Sequence, residues 1–288
     1  MWDVLIGPFV EYGFMMRALT GCLALSLGAC PLGVLLVLRR MSLVGDAMSH
    51  AILPGAAVGF MVAGFSLAAM TIGGLVSGLA VALLAGLVSR FTALREDASF
   101  AAFYLASLGL GVLLVSVHGS NIDLLNVLFG TVLGLDDAAI LLIAGIATAT
   151  LLILSVLYRP MVAECLDPGF LRSVGGGGGL THMIFICLVV LNLVGGFQAL
   201  GTLMVVGIMM LPAAASRFWA ETVAGQMLVA MVIGITSSLA GLLLSYHHAM
   251  PASPSIILSA AAIYAVSVLF GRFDSILTRT VQLRHIHH

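Results

Sequence analysis

The stretch LRRMSLVGDAMSHAILPGAAVGF, Leu38 to Phe60, carries an acid and an imidazole four residues apart, Asp46 and His50, inside an otherwise apolar run. On a helix such residues lie one above the other, about 6 Å between Cβ atoms, so both side chains can reach one ion. A carboxylate oxygen with an imidazole nitrogen suits Zn²⁺, Mn²⁺ or Fe²⁺ better than K⁺ or an organic solute. An ionisable group within a bilayer costs about 3 kcal/mol and tends to mark a substrate or ion path. Two ligands hold a metal poorly. Two copies of the chain meeting at a two-fold axis would bring together two aspartates and two histidines, enough for a four-coordinate site. The plainer reading is that Asp46 and His50 pair with each other or with Arg39 and stabilise a helix start. Spacing alone leaves the two readings level.

Other polar residues are scattered. His247 and His248, in SYHHAMPASP, could collect metal at an outer entrance or be interfacial loop residues. His118, with Asn121 and Asp123, offers a weaker candidate of the same kind. Cys22, Cys30, Cys165 and Cys187 form no Cys-x-x-Cys pair and no disulfide framework; Cys22 and Cys30 read as apolar filling, with a metal role as the lesser alternative. Asn192 and Gln198 flank Gly195-Gly196 and are expected to satisfy loosened backbone groups rather than ions. Pro54 and Gly55 are expected to open a helix, whereas Gly73, Gly74 and Gly78 allow close helix approach. The methionines of LMVVGIMM read as packing. RHIHH at the end is a cytosolic metal-binding tail or an expression remnant.

The elements that must position the pair follow from composition. Of 288 residues, 61% are hydrophobic and only 8% charged, and the mean hydropathy is +1.21. A soluble domain carries roughly a quarter charged residues. The chain therefore reads as an all-α polytopic membrane protein, a single transmembrane domain over residues 1–288. Its eleven basic residues are all arginine, so it has no lysine for a phosphate-binding P-loop. A net charge of −1 gives no footing for nucleic acid. Met1 to Phe14 lacks a basic region and a cleavage site, unlike a removable signal peptide.

A helix needs about 20 apolar residues to cross a bilayer. Such runs are Phe14 to Leu38, Asp46 to Gly64, Phe65 to Val88, Ala98 to Val117, Ala138 to Tyr158, Leu180 to Gly195, Gly196 to Ala215, Ala224 to Ser245 and Ser255 to Phe270. Gly195-Gly196 is the expected break in the longest apolar block. Nine alternating spans put ten of the eleven arginines on one side, leaving out Arg17. The positive-inside rule then sets the N-terminus outside and the C-terminus in the cytoplasm. Eight spans with one re-entrant segment is the alternative count. Asn121 to Gly134 is too short to cross, and Gly175 to Gly179 reads as a joint.

RRMSLVGDAMSHAILPG resembles the signature of the membrane permeases of ABC importers for divalent transition metals, the zinc, manganese and iron family. NIDLLNVLFGTVLGLDD, FQALGTLMVVGIMMLPAAASRF and MPASPSIILSAAAIYAVSVLF are similar to further blocks of that family, so the likeness runs from about Phe14 to Phe270. The resemblance implies a homodimeric permease with a type II importer fold in the bacterial inner membrane. It would be docked on a cytoplasmic ABC ATPase dimer and fed by a periplasmic or extracellular metal-binding protein. It also places Asp46 and His50 on the metal path. The glycine run after Val174 departs from the family pattern.

With no nucleotide site, the chain must be moved by a partner. The cytoplasmic connection from residue 159 to 179 is the expected coupling loop, with Pro168 at the first turn of a short helix after Asp167. By the resemblance, Asp167, Phe170 and Arg172 would transmit ATPase closure; the alternative is a capped linker helix on the membrane surface. A secondary carrier would use the same acid and histidine but with an inverted repeat, and no second Asp-x-x-x-His occurs in the later half. An intramembrane enzyme would need a fuller catalytic set than one Asp and one His, and neither His-Glu-x-x-His nor Gly-x-Ser-x-Gly occurs. No resident cofactor is implied, only the transported metal. The imidazoles of His50, His247 and His248 lean toward Zn²⁺, with Mn²⁺ or Fe²⁺ as the alternative.

Overall fold

The computed structural model describes residues 7–64, 66–92, 96–117, 134–166 and 178–278. All of its elements are helical: α1 Gly7–Glu11, α2 Gly13–Leu38, α3 Ser42–Ala51, α4 Leu53–Ala63, α5 Leu67–Phe91, α6 Glu96–Val117, α7 Asp137–Leu166, α8 Gly178–Leu200, α9 Thr202–Ser216, α10 Val223–His248 and α11 Ala252–Phe270. Seven segments are long and apolar enough to cross a membrane, the α3–α4 pair counting as one, and α6 and α9 add two shorter apolar helices. These correspond one to one with the nine expected runs. Backbone polar groups cannot stay unpaired in hydrocarbon, which is why apolar stretches of this length fold as helices.

Local chemistry sets the ends. Ser66 accepts from the Ala69 N–H (3.5 Å), Asp136 Oδ1 from Ala139 (2.9 Å) and Thr222 from Gly225 (3.2 Å), each satisfying a first-turn donor. α2 ends where Arg40, at φ 58°, turns left-handed; the Arg40 N–H returns to the Val37 carbonyl and the Met41 N–H to that of Leu36. That double return is a Schellman ending, in which glycine is the usual left-handed residue.

Three expected boundaries move. The break after α8 falls at Gly201, not at Gly195-Gly196. Gly201 has φ 88°, a conformation an L side chain resists, whereas the earlier pair is small for packing: a Cβ on Gly196 would lie 2.5 Å from Val205 Cγ2. The second span begins at Ser42, so Asp46 lies a full turn inside the helix. And α7 runs past Tyr158 to Leu166, kinked at Leu157 ahead of Pro160, so residues 159–166 of the expected loop are helical.

Side-chain pairings fix the directions. At one end of α2 and α7, Arg17 Nε meets Asp137 Oδ1 (3.3 Å); at the other, Arg39 meets Glu164, so the two helices run in parallel. α8 starts beside Arg39 and ends beside Gly21, antiparallel to both. Cys30 Sγ donates to the Ile208 carbonyl (3.3 Å), setting α9 alongside α2. The Phe273 N–H donates to the Phe218 carbonyl (3.0 Å), so α9 and α11 finish at the same end. Arg39, Arg40, Arg217 and Arg272 therefore share one end of the bundle, hereafter the arginine end, and Arg17 is at the other, paired.

Candidate functional site

Asp46 and His50 stand on α3, the short helix that rises from the arginine end directly after the α2 turn. Their side chains lie on one face, His50 Nε2 3.9 Å from Asp46 Oδ1. The carboxylate is open, with 60% of its side chain exposed, while the imidazole is three-quarters covered. Tyr104 of α6 stacks on the His50 ring, centroids 6.1 Å apart and planes 28° from parallel. His50 Nδ1 is buried and has no hydrogen-bond partner among the described residues. Beneath the pair, Gly45 leaves room for Met210 of α9, whose Cε would be 3.0 Å from a Cβ placed there. A mostly covered ring thus stands beside an open carboxylate on one helix face, the juxtaposition that both readings of the spacing require.

The helix is held from behind. Pro54 has no N–H to return to the preceding turn, and the chain steps at Ile52 between α3 and α4. The Ala51 carbonyl at that step accepts the hydroxyls of Ser77 (2.6 Å, α5) and Ser107 (3.1 Å, α6). Two neighbouring helices thus grip the backbone one residue beyond His50. The pair itself is incomplete: among the described residues no three His, Cys, Asp or Glu side chains are grouped as metal ligands.

The remaining candidates separate. His247 and His248 are exposed at the end of α10 opposite the arginine end; the His247 ring lies edge-on to Tyr246 (5.3 Å), and His248 Nδ1 is 3.3 Å from the Leu244 carbonyl. Neither joins the α3 pair. His118, Asn121, Asp123, Asp167, Phe170, Arg172 and the terminal histidines lie outside the described residues. So does the side chain of Gln198. Asn192 donates to the Leu188 carbonyl (2.9 Å) within an unbroken α8, so it caps no loosened backbone at Gly195-Gly196, and also to Thr150 Oγ1 across the α8–α7 interface (2.7 Å). Met204 and Met209 are buried, in line with packing.

Arg39 corrects one alternative. It is committed neither to Asp46 nor to His50: its Nη2 donates to Glu164 Oε1 (3.3 Å) and its Nη1 lies 2.6 Å from His182 Nδ1. The guanidinium also rests 5.3 Å from the centre of the Phe185 ring. Sequence reasoning missed Glu164, His182 and Tyr104. Their only signal was polarity at a helix end or in an apolar run, with no spacing relation to Asp46, His50 or Arg39.

A multi-helix apolar bundle with Arg39, Arg40, Arg217 and Arg272 at one end defines a polytopic membrane protein. The chain belongs to the ABC 3 transport family, which it matches over residues 11–271. It is similar to the manganese transport system membrane protein MntC of Halalkalibacterium halodurans, 29% identical over 94% of this chain and 91% of the relative. It is also similar to the manganese import system permease protein ScaB of Streptococcus parasanguinis, 30% identical over 89% of this chain and 90% of that one. The solved structure of PsaBC from Streptococcus pneumoniae in complex with Fab superposes with a TM-score of 0.85 at 27% identity, covering 97% of this chain and 100% of that one. The fold is that of a type II ABC importer permease, and the chain is a transport subunit rather than an enzyme.

Proposed function

We propose that this permease carries a divalent transition metal, Mn²⁺ foremost, through the membrane in an ATP-driven importer. The observation that carries the reading is the Asp46–His50 arm, 3.9 Å apart on the helix that leaves the arginine end. Two copies of the chain facing each other would complete two oxygen and two nitrogen ligands, a set that Mn²⁺ accepts readily. The expectation of Zn²⁺ gives way here. It leaned on His247 and His248 acting with His50, and they sit at the far end of another helix; the relatives' names also point to manganese. The arginine end faces the cytoplasm and an ATPase dimer, and the opposite end, with His247 and His248, receives metal from an external binding protein. The positive-inside bias supports that orientation.

The test is elemental analysis of cells that depend on the intact three-part system. Asp46→Ala and His50→Ala are each expected to abolish Mn²⁺ accumulation with the protein still in the membrane. Normal accumulation in the double variant ends the proposal. Zn²⁺ accumulation without Mn²⁺ would return the cargo to zinc.

A further inference from the structure

The Arg39 cluster buries an ion pair at the arginine end of the bundle. Arg39 and Glu164 keep only 9% and 6% of their side-chain surface exposed. Taking both ions out of water costs several kcal/mol per ion before pairing, and exchanging a buried ion pair for apolar residues of similar size is often neutral or stabilising. The cluster sits where three helix ends meet: the end of α2, the end of α7 and the first turns of α8. Arg39 is also the residue from which the left-handed turn at Arg40 leads into α3, seven positions before Asp46. Whatever holds Arg39 holds the root of the metal-binding helix.

The bonding is one-sided. A guanidinium only donates, so His182 Nδ1 is the acceptor of the Arg39 contact. Glu164 gives Oε1 to Arg39, but Oε2 is buried with no hydrogen-bond partner among the described residues. Closed, the cluster gains two charge-assisted contacts and a ring beneath the guanidinium; opened, it would expose to solvent a carboxylate oxygen that is buried here. Opposing contributions of this kind suit a two-state element, in which a modest push decides the outcome.

We infer that Arg39, Glu164 and His182 form a latch that locks the α2–α3 turn to the ends of α7 and α8, and that its release moves the Asp46–His50 arm during transport. They are positioning residues and touch no cargo. The inference rests on the proposed role of Asp46 and His50 only for what the latch positions.

The experiment uses the complete complex of permease, ATPase and binding protein in lipid vesicles, and reads Mn²⁺ imported per ATP hydrolysed. Arg39→Lys cannot span both partners with one ammonium, and His182→Leu removes the acceptor. Both are expected to lower that ratio about fivefold or more, the size of a modest coupling between sites, while equilibrium Mn²⁺ binding to the solubilised complex is unchanged. His182→Gln keeps an acceptor and is expected to restore the ratio. A second measurement needs no latch variant: spin labels at the exposed Leu43 and Leu180 are expected to separate by about 5 Å, one helical turn, on ATP binding. Wild-type ratios in both disabling variants, an equal loss of Mn²⁺ binding and stability, or a label distance that ignores ATP overturns the latch. Loss of the Asp46 and His50 reading would show separately, as normal Mn²⁺ binding by the Asp46→Ala, His50→Ala variant.

Discussion

The ring of Tyr104 lies over the ring of His50 at 6.1 Å, so α6 fixes the orientation of an imidazole that α3 supplies. An aromatic pair of this kind contributes about 1 kcal/mol beyond its buried area. Tyr104→Ala is expected to weaken Mn²⁺ binding about fivefold, read by titration of the purified complex, with Tyr104→Phe close to wild type. A hydroxyl-dependent effect, Phe behaving like Ala, would mean that stacking is not what matters.

The carbonyl of Ala51 tests how firmly the same helix is held. Removing both donors with Ser77→Ala and Ser107→Ala leaves a buried acceptor unpaired, a loss of about 1–3 kcal/mol. Thermal unfolding in detergent should show a clear drop for the double variant and a small one for each single, because either hydroxyl can serve alone.

Close helix approach makes a sharper prediction. A Cβ on Gly55 would collide with the carbonyl of Gly73, and one on Gly73 with that of Gly55. Backbone cannot retreat as a flexible side chain can, so Gly55→Ala is expected to destabilise by about 1–3 kcal/mol. Gly86→Ala, whose added Cβ would meet nothing within 4 Å, is the control that should leave the melting temperature in place or raise it.

Arg40 predicts the opposite sign. An arginine held at φ 58° bears a cost of about 1–2 kcal/mol that glycine avoids. Arg40→Gly is expected to raise the melting temperature by a few degrees, while Arg40→Val lowers it.

Much of this architecture was legible because lipid imposes one rule on every residue it touches. Runs of about 20 apolar residues had to be helices, and Arg39, Arg40, Arg217 and Arg272 follow the positive-inside bias in sharing one end, with Arg17 at the other. The Asp46–His50 pair was legible because its geometry is local, set by four residues of one helix. Gly201 was missed in favour of Gly195-Gly196 because sequence does not distinguish a glycine needed for positive φ from one needed for close packing. The partners of Arg39 were missed for a different reason. Glu164 and His182 lie 125 and 143 residues away in the chain, and only the packing of α7 and α8 against α2 brings them within reach.

Gly201 alone connects α8 to α9. A joint of one residue keeps the end of α8 beside the start of α9, which a longer loop would let drift apart. From Gly201 the chain returns toward the arginine end along α9, whose Met210 lies under Gly45 at the foot of the arm. The arm is thus reached by two rods from the same end, one through the turn at Arg40 and one down α8 and back up α9.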